Sequence, residues 1–324
     1  MPARYVIGLD MGGTNIRCAA VSRDGRVLFV RRAPSQADAS ASAVAANIVG
    51  QVRALEADAR RRGMGAPGAI GVAVPGPLDV YSGVVMAAPH VKAWRSFALR
   101  AALEAELGRR VVVENDANAW ALGEFWRGAA RGHREVVLLT LGTGIGGGLI
   151  VGGKIFHGRS GMAGELGHIT VEPDGMPCDC GSRGCVEAYA SSSGIRALVA
   201  RRLGAGKKVP AKYLDAEGNF SVRAMTVSAR AHDPLALETF AASGRYLGIA
   251  IASLLNVFNP DLVVIGGGVA GALPYMRKTM TAEVRLRAFG AIAAQARIVR
   301  AALGPIGGVV GAAYAAMNPA RRRA

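Results

Sequence analysis

Cysteine, acidic side chains and long apolar runs are all scarce in this chain, and each shortage excludes something. Only four of 324 residues are cysteine, too few and too unevenly placed for the disulfide framework of a small secreted domain. The longest apolar run, residues 247–258, is interrupted by Ser253 and Asn256 and falls short of the roughly 18 to 20 residues that cross a bilayer. Met1-Pro-Ala-Arg-Tyr5 leads straight into a strand-like segment and carries no signal-peptide core. A soluble, cytoplasmic protein that does not engage a membrane is expected. No low-complexity linker divides the chain either, so two domains would meet at a hinge near residues 116–118.

Asp and Glu number 23 against 39 Lys and Arg, a formal net charge of +16. Such a balance suits nucleic acid, a membrane surface or an anionic ligand. The cations are dispersed, however, as Arg60-Arg61-Arg62, Arg109-Arg110, Arg201-Arg202, Lys207-Lys208 and Arg321-Arg322-Arg323. Several fall where helices should end, and there cations complement the helix dipole. A solvated basic surface and a small anionic substrate are expected, rather than nucleic acid. A hydrophobic fraction of 51% with 19% charged residues fits well-packed globular domains and excludes a disordered chain.

What is present is concentrated. Three of the four cysteines lie in Cys178-Asp-Cys180-Gly-Ser-Arg-Gly-Cys185, ten residues after His168 and between Glu165 and Glu187. Cys178, Cys180, Cys185 and His168 make a complete donor set for tetrahedral zinc. The remaining Cys18 sits in an apolar strand.

Short apolar runs at 5–10 and 17–21 bracket Gly12-Gly13-Thr14-Asn15, and a further strand at 27–31 completes an antiparallel meander. Val44, Ile48, Val52 and Leu55 are spaced for a helix over 42–62. Strands follow at 69–74, before Pro75-Gly76-Pro77, and at 111–113, before Glu114-Asn115-Asp116, with a helix over 117–126. The opening pattern then recurs: a strand at 136–141, the glycine loop 142–148 and a second strand at 149–151. A long helix over 240–258, a strand at 262–265 feeding Gly266-Gly267-Gly268, and a helix over 307–317 close the chain.

G-x-G-x-x-G spacing occurs at Gly142/Gly144/Gly147 and at Gly266/Gly268/Gly271. A dinucleotide fingerprint needs a first strand and a helix opening on the last glycine. The first match runs into a strand and the second comes too late, so a dehydrogenase is excluded. Asp10-x-Gly12-Gly13-Thr14 is more specific. Its glycines let backbone N–H groups approach phosphate, Thr14 adds a hydroxyl, and Asp10 is placed to hold a magnesium-bound water.

Asp10-Met-Gly-Gly-Thr14, Val74-Pro-Gly-Pro77, Glu114-Asn-Asp-Ala-Asn118, Leu141-Gly-Thr-Gly-Ile-Gly-Gly-Gly148, Gly164-Glu-Leu-Gly-His168, the cysteine cluster through Glu187, and Val264-Ile-Gly-Gly-Gly268 together resemble the ROK family (repressors, open reading frames, sugar kinases). That family lies within the sugar kinase/heat-shock protein 70/actin superfamily, and the resemblance runs from residue 5 to about 316. It implies a two-domain α/β fold of the ribonuclease H-like (actin-like ATPase) class with a cleft between the domains and a small zinc-binding insertion. Residues 1–117 with 306–324 would form the smaller domain and 118–305 the larger.

The resemblance also implies roles. Asp116 would be the general base that takes the proton from a sugar hydroxyl as it attacks the γ-phosphate of ATP. A carboxylate at a strand end is suited to orienting such a nucleophile in line. Gly76, Asn115, Asp116, Glu165, His168 and Glu187 would contact sugar. Asp10, Gly12, Gly13, Thr14, Thr143 and Gly144 would serve magnesium and the phosphates, and Gly266, Gly267 and Gly268 the adenosine. His168 would bind zinc through one ring nitrogen and face sugar with the other. Family kinases commonly carry Pro-Asn-Leu where this chain reads Pro89-His90-Val91, so His90 would bear on sugar choice; Asp79 and Lys92 lie nearby. The expected activity is phosphorylation of a hexose by ATP, glucose at its 6-hydroxyl first, with N-acetylmannosamine, N-acetylglucosamine, fructose or allose as alternatives. A sugar-responsive repressor is the alternative from another class, although no helix-turn-helix segment precedes the Asp10 hairpin. A homodimer or higher homo-oligomer is expected.

Overall fold

The structure is a computed structural model that describes residues 5–88, 91 and 93–320; His90 and Lys92 lie outside them. The opening meander is β1 (Tyr5–Met11), β2 (Asn15–Ser22) and β3 (Val27–Pro34). Helix α1 (Ala41–Arg61) starts where the Ser40 side chain accepts from Ala43 N, and it buries Val44, Ile48, Val52 and Leu55 against the sheet. This is the helical spacing read from the sequence, with Arg60 and Arg61 in the last turn. Next come β4 (Ile70–Val74), a small sheet of β5 (Leu78–Asp79), β6 (Val84–Ala87) and β7 (Arg95–Phe97), then α2 (Leu99–Leu107), β8 (Val112–Asn115) and α3 (Asp116–Arg127).

The pattern restarts with β9 (Val136–Leu141), β10 (Ile145–Val151) and β11 (Lys154–Ile155). Helices α4 (Glu187–Ala190), α5 (Ser192–Leu203), α6 (Val222–Arg230) and α7 (Pro234–Phe258) precede β12 (Leu262–Gly266). The chain ends with α8 (Leu273–Arg287), α9 (Gly290–Gln295), β13 (Ile298–Arg300) and α10 (Gly307–Met317). One five-stranded sheet has the order β3-β2-β1-β4-β8 and the other β11-β10-β9-β12-β13. In the first, β4 lies parallel to both β1 and β8; in the second, β12 lies parallel to both β9 and β13. The repeat seen in the sequence is thus a repeat of topology.

Contacts divide the chain into two compact units. The first comprises Met1–Arg134, Gly148–Gly164 and Ala301–Ala324; the second comprises Glu135–Gly147 and Glu165–Arg300. Residues 116–118, where a hinge was expected, form the first turn of α3, and the division falls between Arg134 and Glu135. The first unit's core gathers Ile7, Leu9, Ile48, Leu55, Val72 and Trp94, all fully enclosed. On the opposite face of β1, α10 packs against the sheet at Gly8, where a Cβ would sit 1.9 Å from the Val309 carbonyl oxygen. No larger residue fits there without moving α10.

In the second unit, α7 packs along α8 and buries Phe240, Leu247, Ile251 and Leu255. By length and composition α7 is apolar enough to cross a membrane, but most of its apolar window is enclosed by protein. It is a core helix. The glycine loop is shorter than the expected 142–148, because Gly146, Gly147 and Gly148 belong to β10. Some of the positive charge is paired between neighbouring elements, as in Arg31–Asp58 at 2.6 Å, Arg109–Glu56 at 3.0 Å and Arg245–Glu283 at 3.0 Å.

Candidate functional site

In the first unit, three loops carry the predicted groups. Asp10 lies at the end of β1, in register with Arg17 on β2 and Ala73 on β4. Burial pushes its carboxyl up to about 6, and Arg17 opposes that shift. Gly308, in the first turn of α10, lies against the carboxylate, and a Cβ there would come within 2.5 Å of it. The Gly12-Gly13-Thr14 turn is the β1–β2 connection, closed by Gly12 N donating to the Asn15 carbonyl at 2.9 Å. Ser35 fixes it from β3's end: its hydroxyl donates to Gly13 O at 2.7 Å and its N–H to Thr14 O at 2.9 Å. Gly13 and Thr14 are exposed.

Asn115 ends β8 and caps α3, its Oδ1 accepting from Ala117 N at 2.9 Å and Asn118 N at 3.1 Å. Its Nδ2 donates to the Gly76 carbonyl at 3.2 Å. Asp116, the first residue of α3, is half-buried and its Oδ1 accepts from Ala117 N at 2.8 Å. Sequence reasoning missed what lies behind it: Glu114 and His157, both buried, are joined at 2.8 Å. An acid directly preceding Asn115-Asp116 was the available signal. Asp79 caps its own turn, accepting from Tyr81 N and from Ser82 N and Oγ.

In the second unit, the ligand atoms of His168, Cys178, Cys180 and Cys185 all lie within 4.8 Å of one another. A tetrahedral ion with metal–sulfur bonds of about 2.3 Å and a metal–nitrogen bond of about 2.0 Å spaces its ligands about 3.8 Å sulfur to sulfur and about 3.5 Å sulfur to nitrogen. Here Cys180 Sγ and Cys185 Sγ are 3.7 Å apart, and Cys178 Sγ and His168 Nδ1 are 3.6 Å apart. The donor set fits zinc in kind and in size. Burial pushes the Cys178 thiol up to about 12 and also raises Cys185, so their thiolates require a cation.

His168 turns its other nitrogen, Nε2, towards Glu165, whose Oε2 is 4.0 Å away. Burial raises the Glu165 carboxyl, with His168 opposing and Glu187 reinforcing the shift. Glu187, two residues after Cys185, opens α4 and accepts from Ile145 N through Oε2 at 2.7 Å, while its Oε1 lies 3.7 Å from Cys178 Sγ. It therefore links the cysteine cluster to the glycine loop. A Cβ at Gly144 would lie 2.4 Å from Glu187 Oε2, so a larger residue there would shift the Glu187 carboxylate. Thr143 is exposed beside it, and Gly142 N donates to Gly144 O at 2.8 Å. Gly266 ends β12, Gly267 packs on Leu141, and Gly268 opens a short turn ahead of α8 with open space where a side chain would be.

The model of the ROK family matches residues 6–318. The chain belongs to the ROK family. A glucokinase of Halalkalibacterium halodurans is 36% identical over 316 residues, covering 97% of this chain and 95% of that protein. The crystal structure of a ROK family glucokinase from Streptomyces griseus, in complex with glucose and AMPPNP, superposes with a TM-score of 0.81 at 35% identity over 97% of this chain and 99% of that one. A ROK family transcriptional regulator, a homologue of the E. coli MLC protein, gives 0.84 at 28% identity over 95% of this chain and 76% of that one. The fold is thus the two-domain, actin-like ATPase fold of ROK proteins, with two sheets of matching topology.

Proposed function

We propose that this ROK protein transfers the γ-phosphoryl group of ATP to a hexose, glucose at its 6-hydroxyl before other sugars. The observation that carries this reading is Asp116, fixed at the N-terminus of α3 by the Ala117 N–H, on a chain that resembles glucokinases over nearly its whole length. Asp116 accepts the proton of the sugar hydroxyl as that oxygen attacks phosphorus; Asn115 and the Gly76 backbone hold the loop that presents it. Proton removal by a positioned carboxylate contributes typically about 10²–10⁴-fold to such a reaction. Glu165, His168 and Glu187 supply acceptors and a donor for the other hydroxyls, and the Gly12–Thr14 and Gly142–Gly144 turns supply backbone N–H groups for phosphate oxygens.

Asp10, a buried carboxylate whose pKa is raised by burial, would hold a magnesium-bound water, and the ion would supply positive charge to the transferring phosphates. Zinc at His168, Cys178, Cys180 and Cys185 supplies structure alone, fixing the ring of His168 and the start of α4. Asp116 and the phosphate turns favour a kinase over a sugar-sensing repressor, a distinction the shared fold cannot make. A homodimer in the cytoplasm belongs to the same reading. The test is a coupled assay of ADP release with glucose, mannose, fructose, allose, N-acetylglucosamine and N-acetylmannosamine, with the product's phosphorylated position assigned by NMR. The highest kcat/KM for glucose and a 6-phosphate product are expected; a preference for an N-acetylhexosamine reassigns the substrate.

A further inference from the structure

Behind Asn115 and Asp116 the structure places a buried ion-pair partner that the proposed chemistry does not use directly. Glu114, 3% exposed, sends its side chain into the space between β8 and α3. Its Oε1 accepts from Asn115 N at 3.0 Å and Asn118 Nδ2 at 3.1 Å, and its Oε2 meets His157 Nε2 at 2.8 Å. His157, 8% exposed, stands on the segment after β11, its carbonyl accepting from Ala163 N at 3.2 Å. Tyr81 meets the imidazole edge to face at 6.2 Å, and its hydroxyl donates to Gly158 O at 3.4 Å.

We infer that His157, as an imidazolium paired with Glu114, is a positioning residue for phosphoryl transfer: it holds the Glu114 carboxylate on Asn115 and Asn118, and so sets the direction of Asp116. The inference rests on the kinase reading. Its physical basis is that a buried carboxylate with two N–H partners on one oxygen still needs a partner for the other. Removing one member of a buried pair leaves the second uncompensated and free to reorient. One Glu114 oxygen takes both the Asn115 N–H and the Asn118 side chain, on either side of Asp116, so a turn of its carboxylate would release both contacts. Burial opposes the charged ring of His157, while Glu114 on β8, the titratable group paired with it, favours that ring through its hydrogen bond and its charge, and together they raise the imidazole above its ordinary value. Tyr81 presents only its ring.

The test compares wild type, His157→Gln, His157→Ala and Glu114→Gln in kcat, KM for glucose, pH profile and thermal midpoint. His157→Ala is expected to lower kcat about 10–100-fold, the effect of misdirecting a reacting group by about an ångström, with KM for glucose changed by less than about 3-fold. His157→Gln keeps a donor without the charge and should fold like wild type, recover part of kcat and lose the alkaline fall in kcat that wild type shows as the imidazolium deprotonates. The His157→Gln/Glu114→Gln double variant should be no slower than the slower single one, because one coupling is lost once. A folded His157→Gln with wild-type kcat and an unchanged alkaline limb overturns the inference, as does a double variant in which the losses multiply. A wild type that turns over no sugar overturns the kinase reading and this inference with it; an active wild type with an insensitive His157 overturns the inference alone.

Discussion

Asp10→Asn is expected to stabilise the ligand-free protein at neutral pH while removing its use of nucleotide. Asp10 is 6% exposed, and burial raises its carboxyl pKa from the ordinary 3.8 to about 6, with Arg17 opposing. Two units at about 1.4 kcal/mol each put the penalty of keeping this group ionised in the fold at roughly 3 kcal/mol. The sign follows from proton counting. Between about pH 4 and pH 6 the unfolded chain has released this proton and the folded chain has not, so stability falls as pH rises and the full penalty applies above about pH 6. Asparagine is nearly isosteric and has no charge to desolvate. For a body the size of the first unit, about 2–4 °C per kcal/mol converts the penalty to an upper value of about 6–12 °C in Tm. Thermal melts of wild type and Asp10→Asn at pH 4 and pH 7.5, without nucleotide or magnesium, read it directly. The variant should melt higher at pH 7.5, with most of that gap closed at pH 4. An equal gap at both pH values, or a variant that melts lower at pH 7.5, refutes the reasoning. A site that holds a costly buried charge is one where function has been favoured over stability.

Metal analysis should find one zinc per chain. Chelation should lower the thermal midpoint by about 5–11 °C relative to free zinc at a hundredfold excess over Kd, the equivalent of about 2.7 kcal/mol; Cys180→Ser should lose the metal, and a midpoint indifferent to chelator would contradict the cluster's assignment. Gly144→Ala forces Glu187 off Ile145 N. Calorimetry should show weakened sugar and nucleotide binding with zinc retained, whereas wild-type affinity would show that the Glu187 link is dispensable. Glu124 is fully buried and accepts from Ala129, Ala302 and Leu303 N at 2.7, 3.0 and 2.8 Å. Glu124→Ala should therefore destabilise by about 3–9 kcal/mol in a denaturant titration, at about 1–3 kcal/mol for each orphaned donor; a loss under 1 kcal/mol would mean that water replaces the carboxylate.

The sequence made the meander of β1 to β3, helix α1, the restart at β9 and the metal cluster legible, because each has a local signature: alternation, helical spacing, a glycine turn, four ligands at short range. The small sheet β5 to β7 was not legible, since Leu78–Asp79 and Arg95–Phe97 are too short to show a period. Gly146 to Gly148 were assigned to a loop because glycine marks turns, yet they are strand residues. Gly148 is demanded by the approach of Ala121, 2.6 Å from where a Cβ would be. Amphipathic helices such as α6 were passed over for want of nearby motifs. In the candidate site, the motif residues proposed to meet a ligand are local in sequence, whereas Glu187's bond to Ile145 N and the Glu114–His157 pair depend on partners 42 and 43 positions away.

The central claim is that Asp116 takes the sugar's proton during phosphoryl transfer from ATP. Its most direct test is sugar-dependent ADP release by Asp116→Asn beside wild type, with glucose affinity measured separately by calorimetry. The account predicts magnesium- and glucose-dependent turnover in wild type and a fall in kcat of about 10²–10⁴-fold in the variant with glucose still bound. Turnover by Asp116→Asn within about tenfold of wild type would contradict it.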